Sequence, residues 1–245
     1  MPSSPSAPSP RSGAPSPGAP SPPVRVAPPQ GPIFSIDVEC IATDATHNGR
    51  AVAQIALVDA ASNCLLNLYI KPTQPIFSYL HDLTGLTQEV IEEHGTSLEE
   101  AMRTLRAALP TNACLVGQNI RMDVEWLGLI EGQDFGSCID LAGLFRVWNS
   151  RYSSYTYFGL DHLSTCWLGD ANDGKAHNAV TDAQKSVRLF HARSALDDDP
   201  AQLQQQLTLL LNTPRTPSFA VRNPTYDNVC MGNRKTCTCG AAFFG

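Results

Sequence analysis

The chain has 245 residues, 42% of them hydrophobic, which is enough for one substantial domain with extensions. Its formal net charge of −6 argues against a protein that grips nucleic acid over a broad basic face, but not against an enzyme whose acidic groups are offset by divalent ions. No apolar run reaches the length of a membrane span and the N-terminus lacks the apolar core of a signal peptide, so an intracellular, reduced, soluble protein without a membrane partner is expected, in nucleus or cytoplasm.

Residues 1–32 are almost entirely Pro, Ser, Ala and Gly, with too little apolar bulk for a core, and are expected to form a disordered, partly polyproline II tail. The serines, two arginines and lack of acids in this stretch leave organelle import open, although dense proline opposes an amphipathic transit helix. Order is expected from Ile33. Strands are predicted at 33–40, 50–60 and 64–70, joined by links short enough for antiparallel neighbours. A short helix through Glu93 and a capping-box helix opened by Ser97 and Glu100 follow. Cys114–Gly117 is a brief apolar strand, with a helix from about Arg121. A strand over 137–141 is expected to feed a helix through Trp148, and 152–158 to form a loop whose Tyr152, Tyr155 and Tyr157 are candidates for stacking on bases. Helices are predicted over 160–168, from 179 to about 196, and over 201–211, with 213–229 as linker. Three strands followed by strands alternating with helices give an α/β chain, a mixed sheet with helices packed on it. The expected division is a tail over 1–32, a central domain over 33–195, and an extension over 196–245 ending in a cysteine-containing segment.

Three segments carry chemistry. Asp37 and Glu39 are two residues apart on a strand, so alternation sends both carboxylates to one face, where they repel unless a cation lies between them. A hard, oxygen-ligated ion such as Mg²⁺ or Mn²⁺ resolves that repulsion. Asp123 begins a helix after the fourth strand. His177 and Asp182 stand five residues apart at the start of the longest helix. Each of these, alone, has an ordinary structural explanation: an edge strand, a helix-dipole acid, a surface histidine. Together they supply four carboxylates and one imidazole, the makings of a two-metal phosphodiester-cleaving site.

With those residues in view, the chain resembles the DEDDh-type 3′→5′ exonucleases. Asp37-x-Glu39 is similar to the first motif of that family, Gly117-x-Asn119-x-x-x-Asp123-x-x-x-Leu127 to the second, and His177-x-Ala179-x-x-Asp182 to the third, whose histidine separates this branch from relatives with tyrosine. Leu83-Thr84-Gly85-Leu86-Thr87 resembles the element that lies beside the terminal nucleotides in the RNA exonuclease and interferon-stimulated exonuclease branch. After Glu39 the chain runs Cys40-Ile41-Ala42, without the glycine many relatives carry there. The resemblance covers roughly 33–195 and implies a ribonuclease H-like fold with a five-stranded mixed sheet flanked by helices. It also implies two Mg²⁺ or Mn²⁺ ions on Asp37, Glu39, Asp123 and Asp182, His177 as general base, and release of nucleoside 5′-monophosphates from a free 3′ end. Cys40, Thr84, Gly85, Leu86 and Asn119 are the implied substrate contacts. Single-stranded RNA is the expected partner. DNA, or a catalytically silent nucleic-acid-binding domain, is the alternative.

Cys230, Cys237 and Cys239 form a second cluster. Three local ligands fall one short of a structural Zn²⁺ site, whose fourth would come from the core or another chain. A flexible tail with incidental thiols is the even alternative.

Overall fold

The computed structural model describes residues 25, 26, 28–171 and 174–243, so most of the stretch expected to be a disordered tail lies outside the described residues. Three strands open the chain: β1 (Ile33–Ala42), β2 (Arg50–Asp59) and β3 (Cys64–Ile70). Then come α1 (His81–Thr84), α2 (Gln88–His94), a two-residue β4 (Gly95–Thr96) and α3 (Leu98–Ala108). β5 (Cys114–Gly117), α4 (Ile120–Trp126), β6 (Ser137–Asp140) and α5 (Leu141–Leu144) follow. The rest comprises β7 (Val147–Asn149), β8 (Ser154–Thr156), α6 (Leu160–Leu168), α7 (Ala179–Ser194), α8 (Pro200–Asn212), α9 (Phe219–Arg222), β9 (Thr225–Tyr226) and β10 (Val229–Cys230).

The main sheet is mixed, in the order β4-β3-β2-β1-β5-β6. β1, β2 and β3 form an antiparallel meander, while β5 and β6 add in parallel beside β1. The five expected strands are thus joined by a sixth, β4, which pairs only through Tyr69 and Ile70 at the edge. β2 is buried at eight successive positions because it is central and covered on both faces, which explains why its sequence shows no polar alternation. On one face, Phe34, Ile36, Ile55 and Leu57 pack against Met102 and Leu105 of α3 and Ile120 and Val124 of α4. On the other, Ala56 and Val58 meet Ala179, Ala183 and Val187 of α7. These small residues bring the N-terminal end of α7 close to the sheet, which is where the acids of β1 emerge. α8 closes the same side, burying Leu203, Leu207 and Leu210 with Val147, Phe158 and Leu163.

Four local expectations are corrected. The helix predicted through Trp148 ends at Leu144, and Val147–Asn149 instead pairs with Ser154–Thr156, so the expected loop over 152–158 contains a strand. Trp148 meets Tyr155 edge-on at 5.3 Å, with the Arg146 guanidinium 4.5 Å above Tyr155, a cross-strand cluster that outweighs the weak helical pattern. The segment 213–229, expected to be linker, holds α9 and the β9–β10 hairpin. Asp227 and Asn228 both take positive φ (47° and 61°), the two-residue turn that matches strand twist. At the start of α3, Ser97 caps Glu100 N–H at 3.2 Å, but the Glu100 carboxylate accepts from the Thr96 hydroxyl at 2.5 Å, away from the arrangement of a full capping box. Among the described residues, no helix is long and apolar enough to cross a membrane.

Candidate active site

β1 delivers the first acids. Asp37 lies opposite Ala56 and Glu39 opposite Gln54, both positions on the α7 face. Gln54 is fully buried, and its carbonyl accepts from Ala179 N–H at 3.3 Å while its amide donates to Asn67 at 2.9 Å. It therefore ties the first turn of α7 to the strand beside Glu39. The backbone N–H of Val38 donates to Asp123 Oδ1 at 3.1 Å, which holds the α4 acid against β1.

Asn178 caps the start of α7, its side chain accepting from Val180 N–H at 3.1 Å. The preceding residue, His177, donates its backbone N–H to Leu83 O at 2.7 Å, so the histidine loop is fastened to α1. The His177 ring meets Asp182 through Nδ1···Oδ2 at 2.9 Å. Asp182 is buried, and its other oxygen accepts from Lys185 Nζ at 2.9 Å. Lys185 also reaches Asp161 Oδ1 at 3.0 Å, and Asp161 Oδ2 lies 3.9 Å from His177 Nε2. Ligand atoms of Glu39, His177 and Asp182 lie within 4.8 Å of one another, close enough to share one ion.

Electrostatics tie Asp37 and Asp123 to the same group. Burial, then the charges of Asp123, Glu39 and Asp182, push the Asp37 carboxyl well above the usual range. Burial raises Glu39 to about 8, partly offset by His177 and reinforced by Asp182 and Asp123. Burial also raises Asp123 to about 7, against the pull of the Val38 hydrogen bond. Asp182 differs: burial pushes it up, but hydrogen bonds from His177 and Lys185 prevail and hold it below its ordinary value. The Asp182 hydrogen bond in turn raises His177 above its ordinary value, against burial. The carboxylates nearest the sheet thus resist carrying their charges together, while the pair on α7 is already neutralised locally.

The expected substrate contacts are dispersed around this group. Gly85 is exposed, takes φ 69°, and lies against His177 O and Ala176, so a side chain there would be strained where the chain passes the histidine. Thr84 is buried, and its hydroxyl is spent within the loop on Tyr79 O at 3.0 Å and Leu86 N–H at 3.1 Å. Leu86 is only 2% exposed and packs with Ile41, Ala51, Ala53 and Ile91. Cys40 turns to the opposite face from Glu39 and packs against the α3/α4 core, and burial raises its thiol far above the usual value. Asn119 is exposed at φ 55°, and its N–H donates to Asp140 Oδ1 at 3.0 Å. Of the three tyrosines, Tyr152 and Tyr157 are exposed, whereas Tyr155 is engaged by Trp148.

Residues not foreseen complete the surroundings. Lys185 and Asp161 each looked like ordinary helix-surface charges. A cleft of about 670 Å³ opens beside His177, lined by Asp161, Lys175, Arg215, Phe219 and Arg222 among others. Its far wall is the segment expected to be linker. The three tail cysteines lie together with His47, discussed below.

A mixed sheet with helices on both faces thus carries clustered carboxylates and one histidine at the junction of β1, α4 and α7. The profile of the exonuclease family RNase_T matches residues 34–190, more than half of the chain, and the chain belongs to that family. It is 29% identical over 178 residues to human RNA exonuclease 5, a match taking in 71% of this chain and 21% of that protein. Small RNA degrading nuclease 3 of Arabidopsis thaliana is 28% identical over 162 residues, covering 65% of this chain and 20% of the relative. The chain thus corresponds to about a fifth of the length of these relatives. Among solved structures, the Saccharomyces cerevisiae Pan2 pseudoubiquitin hydrolase–RNA exonuclease module in complex with AAGGAA RNA superposes with a TM-score of 0.63 at 16% identity, over 76% of this chain and 32% of that one. The Neurospora crassa Pan2 catalytic unit gives 0.61 at 17% identity, over 76% and 30%. At that identity the likeness is one of fold.

Proposed function

We propose that this chain is a metal-dependent 3′→5′ exonuclease that removes nucleoside 5′-monophosphates from single-stranded RNA. The observation that carries this is the hydrogen-bonded His177–Asp182 pair standing within ligand distance of Glu39, with Asp37 and Asp123 electrostatically joined to the same group. All the acidic donors are carboxylate oxygens, the ligand type of Mg²⁺ and Mn²⁺, and the upward pressure on Asp37, Glu39 and Asp123 is relieved by cations. The four carboxylates therefore fit a pair of such ions. Bound there, the ions would supply charge stabilisation to the attacking and leaving oxygens of an in-line displacement.

The remaining roles belong to the chain itself. The Asp182 carboxylate accepts from Nδ1–H of His177, which leaves the Nε2 lone pair to take a proton from the attacking water. Asp182 has lone pairs to spare after bonding His177 and Lys185, so orienting the histidine does not preclude ligation. Gly85, exposed beside His177 O, lets a terminal nucleotide approach closely. Lys175, Arg215 and Arg222 line the cleft next to His177 and form a local basic path for phosphates on a chain of net charge −6. The names of the relatives, RNA exonuclease and small RNA degrading nuclease, favour RNA over DNA.

A gel time course with 5′-labelled single-stranded RNA and matched DNA, in Mg²⁺, Mn²⁺ or chelator, tests this. The expected result is a ladder shortening from the 3′ end, dependent on metal, faster on RNA and absent in Asp182→Asn. Folded protein that cleaves neither polymer, or internal cuts from the first time point, would overturn it.

A further inference from the structure

The C-terminal tail holds a second donor set, unlike the first in every chemical respect. His47 lies in the loop between β1 and β2, and Cys230 lies 183 residues further along the chain. Yet His47 Nδ1 is 3.1 Å from Cys239 Sγ, 3.5 Å from Cys237 Sγ and 3.7 Å from Cys230 Sγ. The Cys237 sulfur is 3.3 Å from that of Cys230 and 3.5 Å from that of Cys239. All four donor atoms lie within 4.8 Å of one another. A tetrahedron with Zn–S arms of ~2.3 Å and a Zn–N arm of ~2.0 Å has edges of roughly 3.5–3.8 Å. The sulfurs are well beyond the ~2.05 Å of a disulfide, and pairing any two would strand the third beside the imidazole.

We propose that His47, Cys230, Cys237 and Cys239 bind one Zn²⁺ ion, with His47 ligating through Nδ1, and that this ion fastens the C-terminal tail to the β1–β2 loop.

The surroundings of the cluster are those of a prepared site. The second ring nitrogen of His47 lies 3.0 Å from Ala242 O, so Nε2–H donates there and Nδ1 is left with its lone pair facing the sulfurs. The Phe243 ring stacks on the imidazole at 4.5 Å. Gly232, at φ 73°, passes against His47, where an added Cβ would lie 3.4 Å from the His47 Cβ. The loop itself is tied down: Asp44 Oδ1 accepts from the Thr46 N–H and hydroxyl at 2.6 and 2.7 Å, and Arg50 donates to Thr46 O and Gly49 O. Cys230 is held by its N–H to Ala45 O at 2.8 Å and its carbonyl to Arg50 at 3.2 Å. No residue from 231 to 243 is buried, so apolar burial contributes little to ordering this segment, and a soft three-sulfur, one-nitrogen site supplies what the core does not. The selection of Zn²⁺ over Mg²⁺ follows from the same donors.

The tail that the ion would secure continues into the β9–β10 hairpin. Val229 packs with Ala42, Leu80 and Leu83, and Ser78 donates to Asp227 at 2.8 Å. Leu83 is the residue whose carbonyl holds His177, so the tail packs on the element that fastens the histidine loop.

The test uses the full chain. Elemental analysis of the purified protein should find one Zn²⁺ per chain, and Co²⁺ exchanged for it should give thiolate charge-transfer absorption with the intense d–d bands of a tetrahedral site. Cys237→Ser with Cys239→Ser should lose both signals. His47→Ala should lose the tetrahedral spectrum, and His47→Cys should restore tetrahedral binding with stronger charge transfer, which separates loss of a ligand from loss of the fold. Asp182→Asn should keep the full zinc content, whatever the fate of the exonuclease proposal. A metal-free protein that gives only an octahedral Co²⁺ spectrum, a native mass short by two hydrogens from a disulfide, or an unchanged spectrum in His47→Ala would each overturn the proposal.

Discussion

The carboxylates between β1, α4 and α7 and the sulfur–imidazole set between the β1–β2 loop and the tail both draw four or more donors from distant parts of the chain, but they sit in opposite surroundings. The acids stand on a sheet whose hydrophobic faces are complete without them, as the buried run along β2 and the alanine-lined contact with α7 show. Their burial, with mutual repulsion added at Asp37 and Glu39, is a burden the core supports, visible in the raised Asp37, Glu39 and Asp123. The sulfur cluster has almost no core around it, and its segment depends on the donors themselves. A site of the first kind can lose its ions and keep its fold, whereas one of the second kind holds its local structure only while loaded.

The largest effects expected follow from exchanging losses between the two. Asp182→Asn should reduce cleavage to the level seen in chelator while zinc content stays near wild type. The Cys237→Ser, Cys239→Ser pair should do the reverse in the tail, exposing 223–243 to protease while Mg²⁺ still binds the acids. If the cysteine pair instead abolished Mg²⁺ binding, the two sets would be one structural unit and the contrast would fail. His177→Ala comes next. Turnover should fall about 10²–10⁴-fold, the range for loss of a positioned base, with Mg²⁺ affinity retained. Full activity in that variant would remove His177 from the role of base.

The contrast also accounts for how much was legible beforehand. The acidic motifs were visible because their spacings are local: two residues on a strand, or five residues around a helix start. The sheet followed from apolar runs bounded by Gly and Pro. Lys185 was hidden because a lysine three residues beyond Asp182 on a helix looks like any solvated charge, and only the fold shows it bridging to Asp161. His47 was hidden for a stronger reason: nothing within its own loop marks it as a ligand, and its partners lie 183 to 192 residues further along the chain. The β7–β8 hairpin was lost because three-residue strands carry too little periodicity to outweigh a helical pattern. The 213–229 segment reads as linker, although Asp227-Asn228 between Tyr226 and Val229 is a readable hairpin turn.

A smaller effect sharpens the claim that the acids burden the fold. In magnesium-free buffer, Glu39 holds its proton up to about pH 8 in the folded protein, against an ordinary value of 4.5 in the unfolded chain. Between those values the folded state binds more protons than the unfolded one, so stability is highest below the lower value and falls as pH rises through the upper. Asp37 and Asp123 act in the same direction. Calorimetric melting temperature should therefore decline from pH 5 to pH 9, and Mg²⁺ should raise it more at pH 9 than at pH 5. Glu39→Gln should flatten the decline and raise the magnesium-free melting temperature at pH 9 by about 2–4 °C, as expected for roughly 1 kcal/mol in a chain of this size. A melting temperature that ignores pH would mean the carboxylates are better solvated than their burial implies.

The smallest expected effect tests the histidine. As a base, His177 must be unprotonated, so the acid limb of the pH–rate profile follows its pKa, which the Asp182 hydrogen bond raises first and the charges of Glu39 and Asp161 raise further. Asp161 Oδ2 stands 3.9 Å from Nε2, and Lys185 lies between the two aspartates as the opposing charge. Removing the negative charge with Asp161→Asn lowers the His177 pKa and should move the acid limb to lower pH. Removing the positive charge with Lys185→Met raises it and should move the limb to higher pH. At this separation in partly solvated surroundings each displacement should be a few tenths of a pH unit, well short of the ~0.7 unit that one unscreened charge pair at 4 Å in water would give. Opposite displacements, with the plateau rate kept within a few-fold, place the titrating group beside both charges, as His177 is. A limb that moves in Lys185→Met but not in Asp161→Asn would instead assign it to the raised carboxyl of Glu39, on which Lys185 acts and Asp161 is not among the main charges.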